Sequence, residues 1–393
     1  MTTATPHLAK DHGPQDLTPR EQAHRDYAEL FRLTEGKKHE QKAALRLLGR
    51  QDLFFLLVYL LNRTDADRDW LFERCREVQA HPNGYIDLWF REGYKSTIIS
   101  FALTIQDILR DPEITVGIFS RTKDMAVKLL MQIKQEFEGN RALRDLYPDV
   151  LWEVPEKESP AWSLGDGIVV KRKSNPKECT VEAWGVIEGQ PTGRHFKLVV
   201  YDDMIDQTAV TTENMIKQVT SAWEISISLG ADGGNTRYIG TRYHHADTYK
   251  TIMDRGVAIP RIYPATHNGE EDGEPVLLSK KTLAKRRQSM SATNFAAQYL
   301  IDPSKGGTRR FDMEWLRYWR RESTRGLNLY LLVDPANEKR KRSDYTTMMV
   351  IGLGRDENYY WVDGVRDKLD LGQRTNALFQ LVEMYRPIRV GYE

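Results

Sequence analysis

Leu88-Trp89-Phe90-Arg91-Glu92-Gly93-Tyr94-Lys95-Ser96-Thr97 sets an apolar run, a short polar loop and the start of a helical pattern end to end. Free backbone N–H groups at such a helix start, with the helix dipole behind them, make an anion site. In that reading Lys95 reaches the β- and γ-phosphates of a nucleotide and the Ser96 hydroxyl ligates Mg²⁺. Arg91 adds a second cation beside the γ-phosphate, and Gly93 and Thr97 complete the expected nucleotide-contacting set. The strict pattern G-x-x-x-x-G-K-[ST] fails, since it needs glycine at two positions that hold Trp89 and Tyr94. A lysine at an ordinary strand–helix turn is the plainer alternative.

A second element, Leu198-Val199-Val200-Tyr201-Asp202-Asp203, is an apolar strand ending in two acids. In a phosphate-loop enzyme the first such acid holds the metal and the second polarises the attacking water. Asp202 is expected in the metal role and Asp203 in the water role. Strand-end acids are often solvated turn residues. Here the two elements follow in the required order along a chain that alternates strands with helices.

Further runs support that alternation. Thr115–Phe119, Ile168–Val170, Thr180–Trp184, Leu198–Tyr201 and Tyr238–Gly240 read as strands between helical stretches, which argues for a mainly parallel sheet covered on both faces. Residues 1 to about 40 are polar with little apolar periodicity and read as a flexible or adaptor segment. Lys42 to Gln79 is helical with a break at Asn62–Asp67. Asp302-Pro303-Ser304-Lys305-Gly306-Gly307 reads as a linker. Beyond it the order changes to three strands (Tyr330–Val333, Thr347–Gly352, Tyr359–Val365), a helix (Leu371–Tyr385) and a fourth strand (Ile388–Tyr392), the opening of an RNase H-like fold.

The expected fold class is α/β: a P-loop ATPase domain with a mainly parallel sheet, followed by a partial RNase H-like nuclease domain. The boundaries follow as a segment 1–45, a motor domain 46–300, a linker 301–326 and the first part of a nuclease domain 327–393. At 393 residues two domains are the prior expectation. With 40% hydrophobic and 29% charged residues the chain is ordinary globular material. The net charge of +1 neither favours nor excludes nucleic acid, because only the groove that meets phosphate must be basic. Cys75 and Cys179 make no metal-ligand spacing and no disulfide framework. The most apolar run, Leu53 to Leu61, is short of the roughly 20 residues that span a bilayer and reads as a buried helix. With no signal-peptide pattern at its start, the chain is expected in the cytoplasm of a host cell.

These residues together resemble the large terminase subunit of tailed bacteriophages. Arg91 to Thr97 fits the family's deviant phosphate loop, Arg-x-x-x-Lys-Ser-Thr. Gly189-Gln190-Pro191-Thr192-Gly193-Arg194-His195 is similar to its approach to the acidic strand. Ile239-Gly240-Thr241-Arg242-Tyr243-His244 is similar to its coupling motif, where Thr241 would sense the nucleotide. Phe295 to Pro303, then Phe311 and Trp315, resembles the junction between motor and nuclease, and Leu332-Val333-Asp334-Pro335-Ala336 with Ser343-Asp344-Tyr345-Thr346 the first nuclease strand and hairpin. The resemblance implies ATP-driven translocation of double-stranded DNA into a procapsid and metal-dependent cutting of concatemers. The implied cofactors are ATP and Mg²⁺, with Mg²⁺ or Mn²⁺ at the nuclease site. The implied partners are the portal protein, the small terminase subunit and further copies in a ring. Family members commonly carry glutamate where this chain has Asp203.

Asp334 and Glu393 close neighbouring strands of the RNase H arrangement and are the expected nuclease metal ligands, with Asp344 a weaker third. That family needs at least one further acid beyond the fourth strand, so the nuclease as given is expected to be incomplete and weak. Lys339-Arg340-Lys341-Arg342 is either a solvated loop or a phosphate clamp. Lys171-Arg172-Lys173 and Lys285-Arg286-Arg287 read as solvated faces, and His244 and His245 as surface histidines. Two other functions fit parts of this pattern: a helicase-type translocase or repair ATPase with a nuclease domain, and a non-catalytic DNA-binding scaffold with a dead nucleotide site.

Overall fold

The computed structural model describes residues 17–305, 317–319, 324–335 and 345–392. The chain divides at Thr308–Arg309 into two compact units. The first holds strands β1 (Tyr85–Trp89), β2 (Val116–Ser120), β3 (Trp162–Ser163), β4 (Gly167–Ile168), β5 (Val181–Gly185), β6 (Phe196–Asp202), β7 (Gly230–Gly240) and β8 (Ile259–Tyr263). They form one sheet in the order β3-β4-β5-β2-β6-β7-β1-β8. All pairings are parallel except those of β4 with β3 and β5 at one edge.

A parallel sheet is buried on both faces because its crossover helices cover it. Strand β6 shows the consequence. Leu198 and Val200 pack with Ile118, Leu103 and Phe137 on one face. Val199 and Tyr201 pack with Phe119, Trp223 and Tyr249 on the other. A continuous apolar run therefore fits this strand, where a half-exposed strand would alternate.

The topology also places the chemistry. β7 lies between β1 and β6, pairing Leu88 with Gly240 and Asp202 with Ile239. The loop after β1, the segment after β7 and the acids ending β6 thus emerge side by side at the carboxyl ends of three neighbouring parallel strands.

Three expectations are corrected. The segment before residue 40 is not flexible where described. Thr18 and Glu21 form a reciprocal capping box that starts the helix Pro19–Leu33, and Ala23 and Tyr27 bury against the core. Strand β7 is longer than Tyr238–Gly240, its first half hidden in sequence by Gly233 and Gly234. Strand β8 is absent from the sequence reading, since Pro260 and Arg261 interrupt its apolar pattern; it is an edge strand, where proline is tolerated. The apolar run at residue 53 is buried, as Leu53–Phe55 and Leu56–Leu60. Among the described residues no helix is long and apolar enough to cross a membrane.

The second unit holds β9 (Asn328–Asp334), β10 (Thr346–Leu353), β11 (Tyr359–Asp367), a helix Leu371–Tyr385 and β12 (Arg389–Tyr392). The sheet order is β11-β10-β9-β12, with β10 antiparallel to both neighbours and β12 parallel to β9. Leu331, Val333, Met348 and Val350 pack with Leu381 of the helix. The expected order of three strands, helix and strand is the order present.

Candidate functional site

Strand β1 ends in the loop Arg91–Lys95, and a helix follows as Ser96–Leu103, wound with π-type turns, and Thr104–Arg110. Glu92 and Tyr94 both hold positive φ, 72° and 62°. Left-handed backbone costs a non-glycine residue about 1–3 kcal/mol and persists only where surrounding contacts enforce it. Three tethers do so here. The Tyr94 hydroxyl donates to Asp65 at 2.5 Å, tying the loop to the N-terminal helical layer. Glu92 accepts from Tyr299 at 2.8 Å and pairs with Arg286 at 3.0 Å. Arg91 donates to the Tyr243 hydroxyl at 3.1 Å, reaching the segment after β7. At Gly93 a Cβ would lie 2.9 Å from the Phe90 carbonyl oxygen, so the turn requires glycine.

Lys95 and Ser96 then meet the acids of β6. The Ser96 hydroxyl donates to Asp202 at 3.0 Å. Ser100, one turn further along, donates to the other Asp202 oxygen. Sequence reasoning missed Ser100, although the spacing from Ser96 to Ser100 on one helix was the available signal. Asp202 is 3% exposed. Its burial, with the Asp203 charge beside it, holds its carboxyl well above the usual carboxylate range. Thr97 is half-buried on the same helix turn.

Asp203 sits at a φ of 44°, its N–H donating to the Ile239 carbonyl at 2.9 Å. One carboxylate oxygen lies 3.9 Å from the Lys95 ammonium and has no hydrogen-bond partner among the described residues. A buried acceptor left open beside a lysine is suited to orienting a water molecule. The next acid along the chain, Asp206, is occupied: it pairs with Arg121 and accepts from Thr208 and the Ala209 N–H at 2.8 and 2.9 Å.

The segment after β7 closes the site. Thr241 is buried and its hydroxyl donates to the Trp89 carbonyl at 3.4 Å, across the boundary between β7 and β1. At Gly240 a Cβ would meet the Tyr249 hydroxyl head-on, 2.2 Å away, so this strand end also requires glycine. Arg242 is committed to Asp247 at 2.9 Å and to the carbonyls of His244 and His245. It shapes its own loop. Arg194, in the approach to β6, is likewise held by Glu182 at 3.3 Å. The rings of His244 and His245 lie 4.1 Å apart, and no group of three metal-binding side chains occurs among the described residues.

Lys285, Arg286 and Arg287 are exposed, in keeping with the expected solvated face. On that face Arg286 is the ion-pair partner of Glu92 in the loop after β1, and Arg287 pairs with Glu271 at 2.6 Å. The intervening sequence between residues 92 and 286 gave no sign of this contact.

The donor set fits Mg²⁺. A buried carboxylate with two hydroxyls is hard oxygen chemistry, and Mg²⁺ commonly takes one or two protein ligands while keeping waters and phosphate oxygens. In the second unit Asp334 ends β9 and is exposed, and β12 pairs Tyr392 with Val333 beside it. Glu393, Asp344 and the run Lys339–Arg342 lie outside the described residues, as do Phe311 and Trp315.

The class these features define is a mixed α/β fold with a mainly parallel sheet, followed in the chain by a second, smaller sheet. Matches among solved structures include phage large terminases. The large terminase of a thermophilic bacteriophage, solved also with ADP, is 14% identical, with 79% of this chain and 72% of that chain covered and a TM-score of 0.35. The HK97 bacteriophage large terminase is 13% identical, with 79% and 66% covered and a TM-score of 0.40. The ATPase domain of the Thermus phage P74-26 large terminase is 13% identical, with 58% and 92% covered and a TM-score of 0.34. No protein-family model and no curated protein matches the chain. With superpositions this loose, function has to be read from the site's own geometry.

Proposed function

We propose that the first unit is an ATPase that drives double-stranded DNA, as the motor subunit of a phage DNA-packaging complex. The observation that carries this is the convergence of Lys95, Ser96, Asp202 and Asp203, with Thr241 just past the end of β7, the strand between them. In this reading the loop N–H groups and Lys95 bind the β- and γ-phosphates, and Arg91 leaves Tyr243 for the γ-phosphate. Ser96 and Asp202 hold Mg²⁺, which when bound neutralises phosphate charge. Asp203 orients the attacking water through its open oxygen, and Thr241 reports the outcome to the segment beyond β7. The portal, a small terminase subunit and further copies in a ring are the partners this role requires.

The water role is tested by three variants. Asp203→Asn is expected to bind ATP but to hydrolyse it about 10²-fold more slowly, as loss of a general base does. Asp203→Glu, one methylene longer, should retain activity, and Asp202→Asn should also weaken Mg²⁺ dependence. Full activity in Asp203→Asn moves the role to another carboxylate.

For the second unit we infer a metal-dependent nuclease in which Asp334 is one ligand, supported by its place at the end of the central strand of an RNase H-like order. Plasmid nicking with Mg²⁺ or Mn²⁺ should be lost in Asp334→Ala while ATP hydrolysis is kept. Nicking that survives the substitution removes Asp334 from the role.

A further inference from the structure

The helix Lys280–Ser289 carries Lys280, Lys281, Lys285, Arg286 and Arg287, all exposed, and buries only Leu283. It is almost wholly a charged surface. Its counter-charges come from two places. The turn before it supplies Glu274, paired with Lys280 at 2.6 Å, and Glu271, paired with Arg287 at 2.6 Å. The phosphate loop supplies Glu92, whose two oxygens meet the Arg286 fork at 3.0 and 3.3 Å.

We propose that this helix is a contact for the phosphate backbone of duplex DNA, and that Arg286 exchanges Glu92 for a DNA phosphate on binding. The proposal rests on the ATPase reading above and extends it to how DNA would reach the nucleotide site. Five cations without an apolar face suit a wet, phosphate-directed contact, as DNA interfaces are far more basic than protein ones. Protein interfaces, by contrast, are depleted of lysine around an apolar core. Exposed ion pairs are weak and salt-screened, so the pairs with Glu92, Glu271 and Glu274 can yield to a polyanion that releases counterions. Glu92 is one of the two strained residues of the loop. Freed from Arg286, it would keep only the Tyr299 hydroxyl, and one of the loop's three tethers would be weakened. DNA on the helix would then loosen the phosphate loop.

The test measures affinity of the full chain for a duplex oligonucleotide across a salt series, and ATP turnover with and without that duplex. Lys281→Ala with Lys285→Ala should weaken DNA binding and reduce the slope of log affinity against log salt by about 2, with DNA-free turnover unchanged. Glu92→Gln should do the opposite to binding, raising the slope by about 1, because Arg286 is then already free. It should also bring DNA-free turnover toward the DNA-stimulated rate. Unchanged affinity and slope in the lysine pair overturns the contact. An unchanged slope in Glu92→Gln overturns the exchange. Loss of self-association in the lysine pair with DNA binding intact assigns the helix to a second copy and overturns the proposal. The binding arm is readable even in a chain that hydrolyses no ATP, so failure of the ATPase reading is seen separately.

Discussion

Lys95→Ala should all but abolish ATP hydrolysis, leaving turnover about 10²- to 10³-fold lower, the usual loss when one charge-stabilising donor is removed from a transition state. Charge accumulates on the bridging and γ-phosphate oxygens as the terminal phosphoryl group departs. Lys95 is 8% exposed and stands between the loop and Asp203. Burial makes its ammonium more effective there than a surface lysine would be, since less water screens it. Its second effect is on Asp203, whose carboxylate would lose its nearest cation. The fold should survive, because the loop is held by Tyr94, Glu92 and Arg91, none of which contacts Lys95 in the tethers described. Wild-type turnover in a folded Lys95→Ala variant removes the loop from the mechanism.

The largest stability effect is expected at a pair with no part in the chemistry. Asp87 of β1 and Arg261 of β8 are register partners, 2% and 6% exposed at their side chains, and meet at 2.7 Å. Breaking such a buried pair from one side strands a charge and costs about 3–5 kcal/mol. Asp87→Ala should therefore lower Tm by the order of 10 °C. The pair itself is not a strong net stabiliser. The Arg261 Nε has no hydrogen-bond partner among the described residues, and burial pushes Asp87 up to about 6 despite Arg261. Replacing both, by Asp87→Leu with Arg261→Met, should cost less than either single change. The sign with pH follows from the raised value. Asp87's contribution is full below the ordinary carboxylate range and is lost as pH rises through about 6. Asp87→Asn should flatten stability over that window. Equal costs for the single and double variants, or an unaltered pH profile, contradict this account.

Much of the site was legible because its chemistry is local. The strand–loop–helix around Lys95 and the acidic end of β6 are each contiguous, and their residue types suggest the roles proposed for them. The central strands were legible for a related reason: burial on both faces leaves an unbroken apolar run, as in Leu198–Tyr201. What escaped was long-range or disguised. Ser100 acquires its part from the helix pitch that brings it to Asp202. Tyr94, which breaks the strict loop pattern, is explained by Asp65, a partner in a different layer. Tyr243 and Arg286 touch the loop after β1 only because β7 and the later helices fold back beside β1. Pro260 and Arg261 disguised an edge strand, where neither residue is out of place.

The most direct test of the central claim is nucleotide turnover by the 393-residue chain, followed as phosphate release with Mg²⁺, with and without duplex DNA. Mg²⁺-dependent hydrolysis is expected, rising when duplex DNA is added. ATP binding with no turnover in either condition would contradict it, and would leave a DNA-binding scaffold with a dead nucleotide site.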